Sequence, residues 1–102
     1  MSLVEFILEK LNDLKGTDIL HFDVKGKSSV TDSMIVCTGT SSRQVSAMAE
    51  NLIAECKKAG IETFGHEGKE TADWVVVDLG EAIVHIMQRE ARELYQLEKL
   101  WG

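Results

Sequence analysis

The chain has 102 residues, of which 44% are hydrophobic and 27% charged, and its formal net charge is −6 at pH 7. This length suits one domain over residues 1–102 with a single core, and the sequence contains no apolar run of membrane-spanning length. The negative net charge argues against a protein that binds the phosphates of nucleic acid, because such binding depends on Lys and Arg. It favours a basic protein partner.

The first quarter of the chain predicts a helix followed by a strand. Residues 2–16 carry apolar side chains three and four positions apart, as in an amphipathic helix, and Gly16 is suited to end it. Residues 18–27 then alternate between apolar and polar side chains, which is typical of a half-buried strand. One face of this strand carries Leu20, Phe22 and Val24.

The next stretch predicts a buried strand that leads into a long helix. Residues 33–40 are apolar on both faces, as expected of a strand with neighbours on each side. Ser41 or Ser42 can cap the helix that follows, and the apolar spacing continues to residue 59. Gly60 is placed to end this helix.

The second half of the chain predicts three strands and a closing helix. Residues 61–65 read as a short third strand, and residues 66–72 as a polar loop. Residues 72–88 then supply strands four and five, and residues 88–102 a helix with Leu100 and Trp101 near its end. The charged side chains of this helix, Arg92 among them, indicate a solvated face. The expected fold class is α/β, a mixed sheet of about five strands flanked by helices.

A two-residue turn at Gly80 and Glu81 would set the register of the last hairpin. One face would then be wholly aliphatic and would pack on the helices. The other face would combine large apolar groups with two ionisable ones. In pairs across the two strands, this mixed face consists of Trp74 with Met87, Val76 with His85, and Asp78 with Ile83.

The mixed face has two interpretations. Burial of an unpaired Asp or His is unfavourable by several kcal/mol, on the order of 3–5, so a partly open face that docks a partner is the simpler account. Alternatively, the last helix or the long loop covers this face. In that case Asp78 fastens a loop and His85 is a strand histidine with satisfied hydrogen bonds.

Catalytic and metal-binding patterns receive little support from the sequence. Asp78 and His85 lie diagonally on one face, but nothing places a nucleophile such as Cys37 or Ser42 beside them. The histidines occur singly, so we expect no metal site. Cys37 and Cys56 lie in apolar patterns typical of reduced core residues.

The stretch TGTSSRQ, residues 38–44, is the most suggestive enzymatic feature, because a helix N-terminus after a small-residue turn can hold a phosphate. Nucleotidyl transfer would also need carboxylates converging on Mg²⁺. Asp32 and Asp78 are available, but no D-x-D pair is present. The simpler interpretation is that Gly39 and the hydroxyl residues turn the chain and cap the helix.

Four segments together resemble the ribosomal silencing factor family, also called Iojap-like. They are KGTDILHFDV, TDSMIVCTGTSSRQV, ADWVVVDLGEAIVHIM and REARELYQLEKLW. The resemblance extends from Leu3 to Trp101 and implies a fold similar to nucleotidyltransferases without their catalytic carboxylates. It also implies a non-enzymatic repressor of translation that needs no cofactor.

The resemblance implies further that such a repressor binds the large ribosomal subunit through its protein fourteen and blocks joining of the small subunit. Ribosomal RNA would be a minor contact, and neither DNA nor membrane would take part. Members are often homodimers. The family signature falls on six candidate partner-binding residues, which are Trp74, Val76, Asp78, His85, Met87 and Tyr95.

Two functional alternatives stay open from the residues alone. One is a nucleotide-dependent transferase built on the TGTSSRQ turn with Asp32 and Asp78. The other is a homodimerisation module whose mixed face meets its own copy. No signal-peptide pattern precedes the first helix, so we expect a cytoplasmic protein.

Overall fold

The fold is an α/β domain with one five-stranded mixed sheet, as predicted. The computed structural model describes residues 2–27, 31–68, 72–96 and 99. In chain order the elements are α1 (Leu3–Asp13), β1 (Thr17–Asp23), β2 (Ser33–Gly39), α2 (Ser42–Lys58), β3 (Gly65–Glu67), β4 (Trp74–Asp78), β5 (Ala82–Gln88) and α3 (Arg89–Tyr95). This order of helices and strands confirms the prediction from the sequence.

The sheet has the strand order β1-β2-β5-β4-β3, and its centre is the parallel pair β2 and β5. All other neighbouring strands are antiparallel. A parallel pair needs a long crossover, and here α2, β3 and β4 lie between the two strands in sequence. The apolar residues on both sides of β2 are explained by this central place, since six of its seven residues are buried.

The main core lies between one face of the sheet, called here the back face, and helices α1 and α2. The hairpin contributes the aliphatic face predicted for it, and every one of its members is buried. These residues are Val75, Val77, Leu79, Ala82, Val84 and Ile86. Ile7 and Leu11 from α1, with Val45, Met48, Ala49, Leu52 and Cys56 from α2, pack against them. This packing buries the back of the hairpin and leaves its other face, the front face, for other contacts.

The hairpin register agrees with the prediction at every pair. Trp74 lies opposite Met87, and Asp78 lies opposite Ile83. The turn closes with the Leu79 amide donating to the Ala82 carbonyl at 2.9 Å, and Gly80 has a φ of 82°. A positive φ at the first turn position is the reason a glycine is needed there.

The ends of α1 and α2 follow the sequence signals with one exception. The hydroxyl of Ser41, and not that of Ser42, caps α2 by accepting from the Gln44 amide at 3.1 Å. At the end of α1, Lys15 and not Gly16 adopts a positive φ, of 65°. Gly16 is required for space, because a Cβ there would lie 2.3 Å from the Cys37 sulfur.

Two predicted boundaries are wrong. The third strand comprises Gly65–Glu67, later than the expected 61–65, because its pairing with β4 begins at Gly65 opposite Asp78. The last helix ends at Tyr95, because Gln96 takes a left-handed conformation with a φ of 47°. The helical prediction for Leu100 and Trp101 lies outside the described residues.

Candidate functional site

The front face of the hairpin is partly open, as predicted, but its openness varies along the strands. Trp74, Val76, Asp78, Ile83 and His85 are half-buried. Met87 has no exposed surface. Met87 is one of the six candidate partner-binding residues, but α3 and the front side chains of β1 and β2 cover it.

Met87 belongs to a second, smaller core on the front face. It packs with the fully buried Val36 of β2, and Phe22, Trp74 and Ala91 are partly buried against the pair. The cover comes from α3, which follows β5 directly and folds back over the end of the hairpin. The alternative of a covered face therefore holds at the Trp74–Met87 end only.

A chain of hydrogen bonds links Trp74, His85 and Met34 across three strands. The indole Nε1–H of Trp74 donates to His85 Nδ1 at 2.9 Å. The other ring nitrogen of His85, Nε2, lies 3.0 Å from Met34 Sδ. Burial lowers the pKa of the His85 imidazole from its ordinary 6.5 to about 4. His85 is therefore a neutral histidine at physiological pH.

Asp78 fastens the hairpin turn. Its carboxylate oxygen Oδ1 accepts a hydrogen bond from the Gly80 amide at 2.9 Å, which is the local turn geometry that Asp favours. Since both ring nitrogens of His85 have other partners, the possible Asp–His contact is not formed. The structural roles considered for both residues are thus observed, and Asp78 remains half-buried beside the open part of the face.

A groove lies between the hairpin and α3 at the Trp74 end of the front face. Its volume is about 420 Å³, and it is lined by Asp73, Trp74, Gln88, Glu90, Ala91, Leu94 and Tyr95. The rings of Trp74 and Tyr95 lie 4.7 Å apart at 46°. Leu94 is 75% exposed and Tyr95 is 52% exposed. Large apolar groups this open beside a groove are typical of a docking surface.

Sequence reasoning found two residues of this groove, Trp74 and Tyr95, and missed the others. Leu94 and Ala91 stand in a run of charged residues, and the sequence carried no signal that α3 turns them toward the hairpin. The usable signal was Tyr95 itself, an aromatic residue in a charged segment. The sequence identified Asp73 and Gln88 only as residues at the ends of strands. In the structure the Gln88 side-chain amide donates a hydrogen bond to the Asp73 carboxylate at 2.9 Å.

Arg92 anchors α3 on the sheet, which corrects its predicted place on a solvated face. This residue is buried, and its guanidinium donates to Thr38 Oγ1 at 2.6 Å and to the Asp18 carbonyl. A hydrogen-bonded arginine can be buried because its charge is satisfied by several acceptors. These hydrogen bonds of Arg92 fix the angle at which α3 presents Leu94 and Tyr95 to the groove.

The proposed transferase residues lie at opposite ends of the sheet. Ser33, next to Asp32, pairs with Ala82, while Gly39 at the TGTSSRQ turn pairs with Gln88. Asp78 pairs with Ile83 and so lies at the Asp32 end. At about 3.3 Å per residue, the seven-residue β2 separates the two ends by roughly 20 Å.

The TGTSSRQ turn is also filled by its own side chains. Ser41 caps α2, and the Thr40 hydroxyl donates to Gln44 Oε1 at 2.7 Å. A Cβ on Gly39 would lie 2.7 Å from Val45 Cγ2, so this glycine permits close packing of the strand on the helix. The structural interpretation of this segment is the one observed.

The cysteines are free and buried in the core, as predicted. Burial raises the pKa of the Cys37 thiol to about 12, so it is a thiol and not a nucleophilic thiolate at neutral pH. Burial also raises the pKa of Cys56. Across the described ranges, no helix combines the length and apolarity needed to cross a bilayer.

Comparison with known proteins gives consistent results over the whole chain. A family profile described as "Ribosomal silencing factor during starvation" matches residues 1–102. The ribosomal silencing factor of Haemophilus influenzae is 80% identical over 102 residues, which is the full length of both chains. A crystal structure of a Chromobacterium violaceum protein superposes with a TM-score of 0.94 at 41% identity, covering 100% of this chain and 88% of that one.

A mouse protein named for mitochondrial assembly of the ribosomal large subunit is also similar. It is 33% identical over 101 residues, which cover 96% of this chain and 44% of the mouse protein.

Proposed function

The chain belongs to the ribosomal silencing factor family, and on that basis we propose that it represses translation by binding the large ribosomal subunit through its protein fourteen. Occupation of that site blocks association with the small subunit. The proposed action requires no bond to be made or broken, so the protein is not an enzyme. It works in the cytoplasm, where bacterial ribosomes act.

The groove between the hairpin and α3 is the observation that carries this proposal. Trp74 and Tyr95 form an aromatic pair that lines it, and the exposed Leu94 lines it as well. Tryptophan and tyrosine are the residues most often found at the centre of protein interfaces, since each buries a large area with few rotatable bonds. We assign Trp74, Leu94 and Tyr95 as the apolar contacts of the ribosomal partner.

The other candidate partner-binding residues differ in how far their side chains are exposed to solvent. Val76 and Asp78 are half-buried on the same face and extend the proposed contact toward the hairpin turn. Met87 has no exposed surface, so we assign it the role of supporting Trp74 from below. The contact surface therefore runs from α3 along β4 toward the turn.

Charge favours a basic protein as the direct partner. Asp73 and Glu90 are exposed and line the groove, and the whole chain has a net charge of −6. Complementary charge speeds the encounter of two proteins and orients them. The same acidic groups would repel the phosphates of ribosomal RNA, which is why we propose RNA as a minor contact.

The separation of Asp32 and Asp78 from the TGTSSRQ turn supports a non-enzymatic function. A phosphate held at the helix N-terminus would have neither carboxylate within reach of a shared metal ion. The name of the mouse relative, which refers to the large ribosomal subunit, supports the choice of that subunit as the target.

Co-sedimentation with isolated bacterial large subunits tests the proposal. The wild-type chain should travel with large subunits, and the Trp74→Ala variant should bind about thirtyfold more weakly, as expected for loss of a central aromatic contact. Phe6→Ala is the matched control, because Phe6 lies on α1 behind the sheet. The control should bind like the wild type.

Two further measurements separate the parts of the proposal. Light scattering of mixed subunits should show less joining when the wild-type chain is added first, and an excess of isolated protein fourteen should relieve this effect. If Trp74→Ala co-sediments as well as the wild type, the groove is not the docking site. If the wild type binds but subunits still join, blocking is not its function.

Self-association is tested in the same experiments. The family resemblance implies a homodimer, and Leu94 and Tyr95 are exposed enough to take part in one. Analytical ultracentrifugation of the free chain should then show a dimer that Tyr95→Ala weakens. A monomer at all concentrations would remove the homodimer from the proposal.

A further inference from the structure

We propose that His85 is a positioning residue that fixes the Trp74 indole in its docking orientation and makes no contact with the partner itself. This inference rests on the proposed function, because it names how the groove is kept ready for a partner. It assigns His85, one of the six candidate partner-binding residues, a supporting role behind the contact surface.

His85 has no ring nitrogen left to form a hydrogen bond with a partner protein. An indole nitrogen can only donate, so the 2.9 Å contact from Trp74 Nε1 makes His85 Nδ1 an acceptor. In the neutral ring the proton is then on Nε2. That N–H points at Met34 Sδ, which lies 3.0 Å from Nε2. Both nitrogens are therefore occupied within the chain, and the tautomer is fixed by its neighbours.

The environment keeps the imidazole in this acceptor form. His85 is half-buried in the centre of β5, and burial lowers its pKa to about 4. A protonated imidazole would have donors on both nitrogens and could no longer accept from the indole. At neutral pH the acceptor for Trp74 is therefore always present.

The geometry around Trp74 shows what this acceptor accomplishes. The indole lies between two rings, with centroids 5.8 Å from His85 and 4.7 Å from Tyr95, and it is tilted by 46° to each. The hydrogen bond holds the nitrogen edge, while the ring contact with Tyr95 supports a face. The indole remains half-exposed at the groove.

A Trp74 indole that is held in its bound orientation binds a partner more tightly than one that rotates freely. Ordering a loose side chain on binding weakens affinity, and this loss is avoided when the side chain already has its bound orientation. Loss of the His85 acceptor also leaves the indole N–H without its partner and favours rotation of the ring toward water. Removal of the acceptor should therefore reduce affinity in a protein that remains folded.

Two substitutions of His85 separate positioning from packing. His85→Leu fills similar space without an acceptor, and His85→Asn restores an amide oxygen close to the position of Nδ1. His21→Leu is the matched control, because His21 pairs with Ile35 on the back side of the edge strand β1 and is exposed. All variants are compared at a temperature where circular dichroism shows them folded.

The readouts are the affinity for isolated large subunits and the ¹⁵N spectrum of the free chain. The indole signal of Trp74 is assigned by its loss in Trp74→Phe. In His85→Leu this signal should move upfield and exchange faster with water, and affinity should fall about tenfold, as for the loss of one hydrogen bond. His85→Asn should recover most of both properties, and His21→Leu should change neither.

The outcomes distinguish this inference from the proposed function. If the wild type binds large subunits and folded His85→Leu binds equally well, the positioning role is wrong and the docking site stands. A wild-type imidazole protonated at Nδ1 would also overturn it. If the wild type does not bind large subunits, the proposed function fails, and the docking role of His85 fails with it.

Discussion

Mild acid should destabilise the folded chain through His85. The unfolded chain binds a proton at this histidine below pH 6.5, whereas the folded chain does not until the pH approaches 4, because burial lowers the folded pKa to about 4. The unfolded state then holds more protons, so the free energy of unfolding decreases as the pH falls through this window. The contribution is fully present above pH 6.5.

The size of the effect follows from the two pKa values. A pH of 5 is 1.5 units below the ordinary pKa of 6.5 and still above the folded pKa of about 4. Each of these pH units corresponds to about 1.4 kcal/mol in the free energy of unfolding. His85 should therefore account for a loss of about 2 kcal/mol between pH 7 and pH 5. For a domain of this length the total stability is on the order of 5–15 kcal/mol, so the loss is measurable.

Urea denaturation at pH 7 and pH 5 measures this loss, with the wild type and His85→Leu compared under identical conditions. The variant should lose about 2 kcal/mol less than the wild type on acidification, since it has no imidazole to protonate. Other titrating groups are common to both chains and cancel in the difference. Equal losses in the two proteins would refute the assignment of a neutral, half-buried His85.

Three substitutions test the helix ends. Gly16→Ala should destabilise the fold by about 1–3 kcal/mol in urea denaturation, because its Cβ would press against the Cys37 sulfur and the Met48 methyl; an unchanged midpoint would mean that these side chains move aside freely. Ser41→Ala should lower stability by about 1 kcal/mol through loss of the α2 cap, whereas Ser42→Ala should have little effect. Equal effects of the two serine variants would contradict the observed cap.

The sequence was sufficient to predict the order of the helices and strands and the register of the last hairpin. Alternating apolar residues with a glycine turn define a single register, and a shift by one residue would place the aliphatic face in solvent. For that reason Trp74, Asp78 and His85 were correctly assigned to one face. The helical spacing of apolar residues in α1 and α2 identified the side chains that cover the back face.

The sequence was insufficient where distant segments meet. The cover over Met87 depends on α3 folding back across the sheet, and the Arg92 contacts with Thr38 and Asp18 that hold it there join residues far apart in the chain. No local pattern encodes such contacts. Strand β3 was misplaced for a similar reason, because three exposed residues have no periodicity and pair only because β4 offers an edge.

The parallel pairing of β2 with β5 has a consequence for how the chain folds as it is synthesised. β2 is complete by Gly39, but its inner neighbour is β5, whose last residue is Gln88. Until those residues emerge, one edge of a strongly apolar strand has no partner, and open edges of this kind invite wrong pairing between chains. About half of the chain is therefore synthesised while β2 has only β1 as a neighbour, and the proposed docking groove is completed last.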